Sequence, residues 1–597
     1  MSTYTDRLSA LRAQLAADRL DGFVVPLTDE HLSEYVGSYA QRLAWLTGFQ
    51  GSAGSAVVLP VEAAIFTDGR YTLQVRDQVD GAHWSYQSVP ETSMAAWLEA
   101  HAPEGARIGY DPWLHTRDWV TRARTALAAR GAELVPVGDN PIDRVWRDRP
   151  EPSTARLAVQ SEDHAGRSSA AKRQDMADWL KNEGADAAIL SALDSIAWTF
   201  NVRGQDVDRT PVALAFAVVH ADGTADLYVD GAKLGDDVRQ HLGNGVRLHE
   251  RSAFAGDLAA LAGKRVAADP ERSVAAIFEA LERAGATVIA RRDPAVLPKA
   301  VKNAAEIAGH KAAQARDGAA LVRFLHWLAT QAQDGSVDEL TAAAKLQAFR
   351  EANGDLRDLS FDTISGAGPN GAIVHYRVSE ATNRPLEPGS LYLVDSGGQY
   401  VDGTTDVTRT VAIGAPTAEM RDRYTRVLKG MIALTRQRFP KGTRGSQLDT
   451  LARQFLWMVG LDYAHGTGHG VGAYLSVHEG PQRITSVGAA QSGGDEPLLA
   501  GMILSNEPGY YKAGEYGIRI ENLVLVTEAD VAGAEKPMLG FETLTFAPID
   551  RRLIDTALLT DEERGWIDAY HAQVAAVVGS ALDGDVLAWL RNACAPL

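Results

Sequence analysis

Residues 390–414 read SLYLVDSGGQYVDGTTDVTRTVAIG, and this stretch decides the class of the fold around it. Two apolar runs flank a glycine-rich connection, which predicts two strands joined as a hairpin or a short excursion. Asp395 ends the first run and Asp406 opens the second, so the return brings two carboxylates near each other. Carboxylates at apolar strand ends repel and lose hydration, and a cation must lie between them. For this pair alone, compensation by an arginine or a solvated turn is favoured over a metal, because Asp is common in turns.

Outward from this stretch the same style continues. SFDTISGAGPNGAIVHY (360–376) and EYGIRIENLVLVTE (515–528) are further strand-dense segments, and helices interrupt them near 417–438 and 446–459. Upstream, a long helix starts at Asn303, with Ala304, Ala308, Ala312, Ala315, Ala319 and Val322 stepping by three or four as one apolar stripe. An α+β domain is therefore expected over residues 301–597.

The first half differs. Residues 8–75 and 172–233 run in the same order: a helix, a strand (DGFVVPL; ADAAILSA), a tryptophan-bearing segment, then further strands. Trp45 and Trp198 hold matching places, as do the pairs beginning at Asp68 and Asp230. Alternating helices and strands predict two related α/β domains produced by duplication. The proline- and charge-rich NPIDRVWRDRPEPS (140–153) reads as a linker, giving expected domains of 1–150 and 151–300.

Length and charge bound the function classes. A chain of 597 residues exceeds one core. The formal charge of −18 argues against nucleic acid or an anionic membrane as main partner. The single cysteine, Cys594, excludes intramolecular disulfides and multi-thiolate metal sites. The opening MSTYTDRLSALRAQLAADRL reads as an amphipathic helix rather than a signal peptide, and no apolar run approaches the ~18 residues of a membrane span. The expected compartment is the cytoplasm.

Three further segments carry chemistry. DYAHGTGHGVGAYLSVHEGP (462–481) holds His465, His469 and His478, while four glycines in GTGHGVG speak against a helix and hence against a helical HExxH zinc site. A phosphate-cradling reading fails the GxGxxG template at Val471. LSNEPGYY (504–511) places Glu507 before a proline, which biases it to extended backbone. GIRIENLVLV (517–526) reads as one apolar strand with Arg519 and Glu521 on the same face, so Arg519 is a candidate counter-ion for Glu521. Two Asp, two Glu and one to three His suit Mn²⁺, Co²⁺, Fe²⁺ or Zn²⁺. Four carboxylates exceed the need of one divalent ion, and two bridged ions explain the count, as in binuclear hydrolases.

VHY (374–376), VDSGGQYVDGTTDVTRT, HGTGHGVG, VHEGP, SNEPGYY and GIRIEN together resemble, in order and spacing, the pita-bread metallopeptidases, in the long three-domain Xaa-Pro aminopeptidase form. RLAWLTGFQGSAG, FTDGRYTLQ and LDSIAWTFNVRGQDV extend the resemblance over nearly the whole chain. The resemblance implies two α/β domains followed by a pita-bread α+β catalytic domain. It implies Asp395, Asp406, His469, Glu507 and Glu521 as ligands of two divalent ions, with manganese expected and zinc or cobalt as alternatives. It implies His375 and His478 at the substrate and oxyanion, His465 shaping a proline pocket, and Tyr511 and Arg519 as supporting partners. Glu507 is also the candidate proton shuttle. The implied reaction is removal of the residue preceding proline from peptides with N-terminal Xaa-Pro, by a hydroxide held between the ions, in a homodimer. A prolidase acting on dipeptides and an inactive binding scaffold are the competing readings. The AAQSGG segment (489–494) is an apparent surface insertion.

Overall fold

The computed structural model describes residues 3–89, 91–487 and 493–597. Most of the AAQSGG insertion therefore lies outside the described residues. The chain divides into two units, Met1–Val296 and Leu297–Leu597.

The first unit carries two six-stranded sheets of identical topology. In space the first runs Ser85–Ser88, Ala63–Thr67, Ser55–Val58, Gly22–Pro26, Arg107–Tyr110, Glu133–Pro136. The second runs Val246–His249, Ala225–Val229, Ala215–His220, Ala187–Leu190, Arg265–Ala268, Thr287–Ala290. Both follow one pairing scheme: antiparallel, antiparallel and parallel on one side of the first strand, then parallel and parallel on the other. Trp45 sits in the Arg42–Thr47 helix and Trp198 in the Leu193–Phe200 helix, each before the second strand of its sheet. The duplication read from the tryptophans is therefore present in the strand order. The central strands Gly22–Pro26 and Ala187–Leu190 are covered on both faces, which accounts for their unbroken apolar runs.

The second unit opens with the helix Ala304–Gln331. Asn303 caps it, accepting from the Ala305 and Glu306 amides, while Glu306 returns a bond to the Asn303 amide. The apolar stripe is buried only in its second half: Ala319 and Val322 are in the core, but over the first turns Ala304, Ala308 and Ala312 are exposed. The buried face carries Glu306, His310, Gln314 and Asp317 instead. Alanine gains little by burial, whereas these polar groups have dedicated partners. Asp317 takes both Arg350 Nε at 2.7 Å and the Tyr400 hydroxyl at 2.7 Å.

Two sheets position the site. A three-stranded sheet orders Ile364–Ala367, Ser390–Ser396 and Val407–Ile413. The last two pair over their full length, with Asp395 opposite Thr408, and the small strands Gly398–Tyr400 and Gly403–Thr404 make the excursion between them. A six-stranded sheet orders Arg438–Pro440, Met538–Thr543, Asn522–Ala529, Ile503–Asn506, Gly468–Gly470 and Glu479–Ile484. The stretch expected as one strand, GIRIENLVLV, is two: Tyr516–Arg519 and Asn522–Ala529. The break falls at Ile520 and Glu521, where the Glu521 amide donates to Thr408 O of the other sheet. The helices Ala418–Thr435 and Gly445–Trp457 fall where expected. Two C-terminal helices, Asp561–Val578 and Gly584–Ala593, were not anticipated, and the first packs Ile567, Tyr570, Val574 and Val578 into the core. No helix of the described residues is long and apolar enough to cross a membrane.

Candidate metal centre

Strand pairing in the second unit brings the carboxylates together. Asp395 lies on the Ser390–Ser396 strand, and Asp406 immediately precedes Val407–Ile413. In the other sheet Asn506 stands opposite Asn522. Glu507, just after one antiparallel strand, and Glu521, just before the other, therefore share one sheet end. His469 enters from the neighbouring Gly468–Gly470 strand. Ligand atoms of Asp406, His469 and Glu521 all lie within 4.8 Å of one another, and all three residues are buried. His469 Nε2 is 3.5 Å from Asp406 Oδ2 and 3.4 Å from Glu507 Oε1, which ties Glu507 to the same group. Asp395 Oδ2 accepts from Arg519 Nη2 at 2.7 Å.

The glycines of GTGHGVG serve close packing of the chain. A Cβ at Gly468 would stand 2.0 Å from Ser505 O, and one at Gly470 would stand 2.4 Å from both Glu479 O and Gln482 Nε2. These glycines let protein backbones approach one another, and the closeness is what brings His469 to the carboxylates.

Electrostatics fit a cation. Burial, reinforced by the charge of Glu521, Asp395 and Glu507, pushes the Asp406 carboxyl well above its usual range. Burial together with Asp395 and Glu507 does the same to Glu521. Burial raises Glu507 to about 7 against the opposing pull of Arg519. Asp395 Oδ1 and Glu521 Oε1 are buried oxygens without a hydrogen-bond partner. His469 is oriented as a ligand: its Nδ1 donates to Gly470 O at 3.0 Å, which leaves the Nε2 lone pair facing Asp406 and Glu507. Orphaned carboxylate oxygens, carboxyls lifted by mutual repulsion and an imidazole lone pair form a donor set that divalent ions would satisfy.

The remaining expected residues surround this group. His478 stands edge-on to His469, with ring centroids 4.3 Å apart. His465 Nε2 and the Tyr511 hydroxyl are 2.9 Å apart, and Arg519 Nη1 donates to that hydroxyl at 2.6 Å. His375 is half-buried. Its neighbours Ile373, Tyr376 and Val378 pack with Ile364, Leu393 and Tyr511, which sets its segment beside the same tyrosine.

Several contributors escaped the sequence reading. The Thr408 hydroxyl donates to Glu521 Oε2 at 2.8 Å and accepts from Arg519 Nε at 3.1 Å. Ser505 Oγ donates to Glu507 Oε1 at 3.1 Å and accepts from the His469 amide at 3.0 Å. Lys299 and Lys302 both clamp the buried Glu479, the residue after His478. Thr408 had one signal, its place two residues after Asp406 on the same strand face. The lysines had none, because their partner is some 180 residues away.

Residues 7–145 and 148–306 each match the family described as Creatinase/Prolidase N-terminal domain, residues 308–528 match Metallopeptidase family M24, and residues 537–597 match the C-terminal region of peptidase M24. The chain is 40 % identical over 615 residues to a probable Xaa-Pro aminopeptidase P of Paracoccidioides brasiliensis (strain Pb03), covering 99 % of each. It is 35 % identical to an X-prolyl aminopeptidase from Caenorhabditis elegans, described as a cytosolic enzyme with a di-nuclear active site, with a TM-score of 0.94 and full coverage of both chains. A prolidase from Pyrococcus horikoshii OT3, at 22 % identity and a TM-score of 0.51 over 64 % of this chain, shares the fold. On the strength of the full-length identity and the consecutive domain matches, the chain belongs to metallopeptidase family M24, in the form that carries creatinase/prolidase N-terminal domains.

Proposed function

We propose that this chain is a two-metal aminopeptidase that releases the N-terminal residue from peptides with proline in second position. The observation that carries the reading is the buried meeting of Asp406, His469 and Glu521, with Asp395 and Glu507 beside them, in a chain similar end to end to Xaa-Pro aminopeptidases. Asp395, Asp406, His469, Glu507 and Glu521 would hold two divalent ions, manganese first among the candidates. Such ions supply Lewis acidity at the scissile carbonyl and lower the pKa of water.

The chain's own groups do the rest. Glu507, at the end of the Ile503–Asn506 strand and beside His469, is the candidate to pass a proton to the departing proline nitrogen. His478, beside His469, and His375 would be the substrate and oxyanion contacts. His465, fixed through Tyr511, shapes the proline side of the pocket. Arg519 binds Asp395 and Tyr511 together and so holds a ligand and a pocket wall in one register. In this reading residues 1–150 and 151–300 govern substrate choice, residues 301–597 hold the chemistry, and the enzyme works as a cytoplasmic homodimer.

The test is product analysis by mass spectrometry on Xaa-Pro-Xaa peptides after reloading with Mn²⁺. Release of the first residue alone, abolished by chelator, is expected. Absence of both metal uptake and cleavage would turn the reading towards a binding scaffold.

A further inference from the structure

The first unit contains a cavity of about 240 Å³ whose walls come from both halves of the duplication. Glu30, Arg42, Asp111 and Trp113 belong to the first half, and Phe216 and Arg251 to the second. Two features mark it as more than a gap between sheets. Arg42 gives Nε and Nη2 to Asp143 at 2.7 and 2.8 Å, and its buried Nη1 has no partner. Arg251 gives Nη2 to Glu30 and to His31 Nε2, and its buried Nε has no partner. Arginine nitrogens without an acceptor occur at six other positions among the described residues, but these two belong to side chains that line one cavity together, where an anionic group would meet both.

The other walls narrow the ligand. Trp113 and Phe216 lie 6.1 Å apart at 61°, forming an aromatic corner. The Asp111 carboxylate accepts from the Trp113 amide and from Asn140 Nδ2, both at 3.0 Å, and retains lone pairs for a further donor. Arg42, Arg149 and Arg251 are balanced by Glu30, Asp111 and Asp143. A phosphate would therefore meet carboxylates as well as guanidiniums, whereas a zwitterion meets both with the right sign. The volume suits one amino acid and not an extended peptide. We infer that this cavity binds a free α-amino acid with an apolar or aromatic side chain: carboxylate towards Arg42 and Arg251, ammonium towards Asp111, side chain against Trp113 and Phe216.

The inference rests on the cavity alone. If the reading proposed above holds, the enzyme releases free α-amino acids, and those with apolar or aromatic side chains would reach this cavity as products. The probe is L-phenylalanine, titrated by calorimetry into the full-length chain and into its Glu521→Ala variant, which lacks one of the residues proposed to hold metal. Saturable binding of equal strength to both is expected. N-acetyl-L-phenylalanine and phenethylamine, each missing one charge, should bind at least about tenfold more weakly to the unaltered chain. Trp113→Ala, with folding checked by its melting temperature, should weaken L-phenylalanine by a similar factor, and inorganic phosphate should not compete. Lack of saturation at roughly 10 mM overturns the proposal, since so weak an affinity leaves no built site. Equal binding of the two single-charge analogues, or displacement by phosphate, overturns it as well. Loss of binding in Glu521→Ala alone would reassign the ligand to the metal centre.

Discussion

Arg519 Nη2 bonds Asp395 Oδ2 at 2.7 Å, although Arg519 lies two residues from Glu521 and was the expected counter-ion for it. The chain break at Ile520 and Glu521 is the cause: Arg519 ends a hairpin strand beside Gly509–Lys512, and Glu521 starts into another sheet. Glu521 instead receives the Thr408 hydroxyl on Oε2 and leaves Oε1 without a protein partner. The guanidinium therefore leaves Glu521 open, and the carboxylate it does engage is oriented rather than neutralised out of use.

Replacing this guanidinium should act through its neighbours. Arg519→Met removes the hydrogen bonds to Asp395 and Tyr511 and unbalances a buried carboxylate cluster. Metal affinity is expected to fall by roughly 10–100-fold, the usual effect of losing an orienting partner. Tyr511→Phe should leave metal uptake intact and raise KM, because it frees His465 and one arm of Arg519 while the Arg519 bond to Asp395 remains. Elemental analysis after dialysis against graded chelator, with Michaelis parameters for each variant, checks the division.

The ligands and the substrate histidine should separate in the same assay. Asp406→Ala and Glu521→Ala are expected to lose metal and turnover together, since both lie in the group of mutually close ligand atoms. His478→Ala, in contact with His469 from the side, should retain metal and lose about 10²–10³-fold in kcat. Complete metal loss in His478→Ala would place that histidine among the ligands.

Metal removal should make stability pH-dependent, with a defined sign. Asp406 and Glu521 have folded carboxyls raised well above their ordinary values, and Glu507 is raised to about 7, burial leading in each case. Between the ordinary carboxyl range of ~4 and these raised values, the chelated native state holds more protons than the unfolded chain. Its stability must therefore fall as pH rises through that window. The melting temperature of chelated protein is expected to drop from pH 5.5 to pH 8. Metal-loaded protein should lose this slope, and loading at pH 7 should release protons measurable in buffers of different ionisation enthalpy. A flat profile for chelated protein would contradict the assignment of this cluster.

The clamp on Glu479 should be a stability element. Lys299 Nζ lies 2.8 Å from its carboxylate, Lys302 bonds the other oxygen, and all three side chains are at most 1 % exposed. Glu479→Gln leaves two buried ammonium groups facing a neutral amide, a change costing about 3–5 kcal/mol. Denaturant unfolding should show that loss, and turnover should fall with it because His478 adjoins Glu479. A variant of wild-type stability would show the lysines to be neutral or hydrated.

The contrast between what the sequence revealed and what it hid has a physical basis. Asp395, Asp406 and the glycine-flanked histidines were legible because a hairpin and a tight glycine segment are local devices with local signatures. The duplicated sheets were legible because repeated strand order leaves repeated tryptophans and turns. The buried face of Ala304–Gln331 was not legible: Asp317 is buried for Arg350 and Tyr400, partners set by tertiary packing. The clamp of Glu479 by Lys299 and Lys302 escaped for the same reason, as did the split of GIRIENLVLV, where hydrogen bonding to Thr408 overrides a continuous apolar pattern.

The substrate itself can be separated from a dipeptide by one residue. A proline in second position has no amide hydrogen, so its ring must be read by shape and by the groups fixed around it. In the proposed reading His465, held by Tyr511, and Tyr511, held by Arg519, would supply such a wall. Replacing proline with alanine loses the packing of two ring carbons and the fixed ring orientation, so Arg-Ala-Pro should fall at least about tenfold below Arg-Pro-Pro in kcat/KM. A dipeptide adds a free carboxylate next to proline, which needs a cation. Arg483 is the candidate on hand: it stands directly opposite His469 in the strand pairing, which places both side chains on one sheet face. If the enzyme is an aminopeptidase, Arg483→Met, at a half-buried position, should lower neither metal content nor cleavage of Arg-Pro-Pro by more than about twofold, because the side chain would then have no substrate carboxylate to meet. If it is a prolidase, Arg-Pro would be the better substrate of the unaltered chain and would lose about 10²-fold in the variant, the loss of a charge-assisted bond to substrate. Measuring Arg-Pro, Arg-Pro-Pro and Arg-Ala-Pro on both proteins at equal manganese loading decides between them, and the expected order is Arg-Pro-Pro first with Arg483 uninvolved.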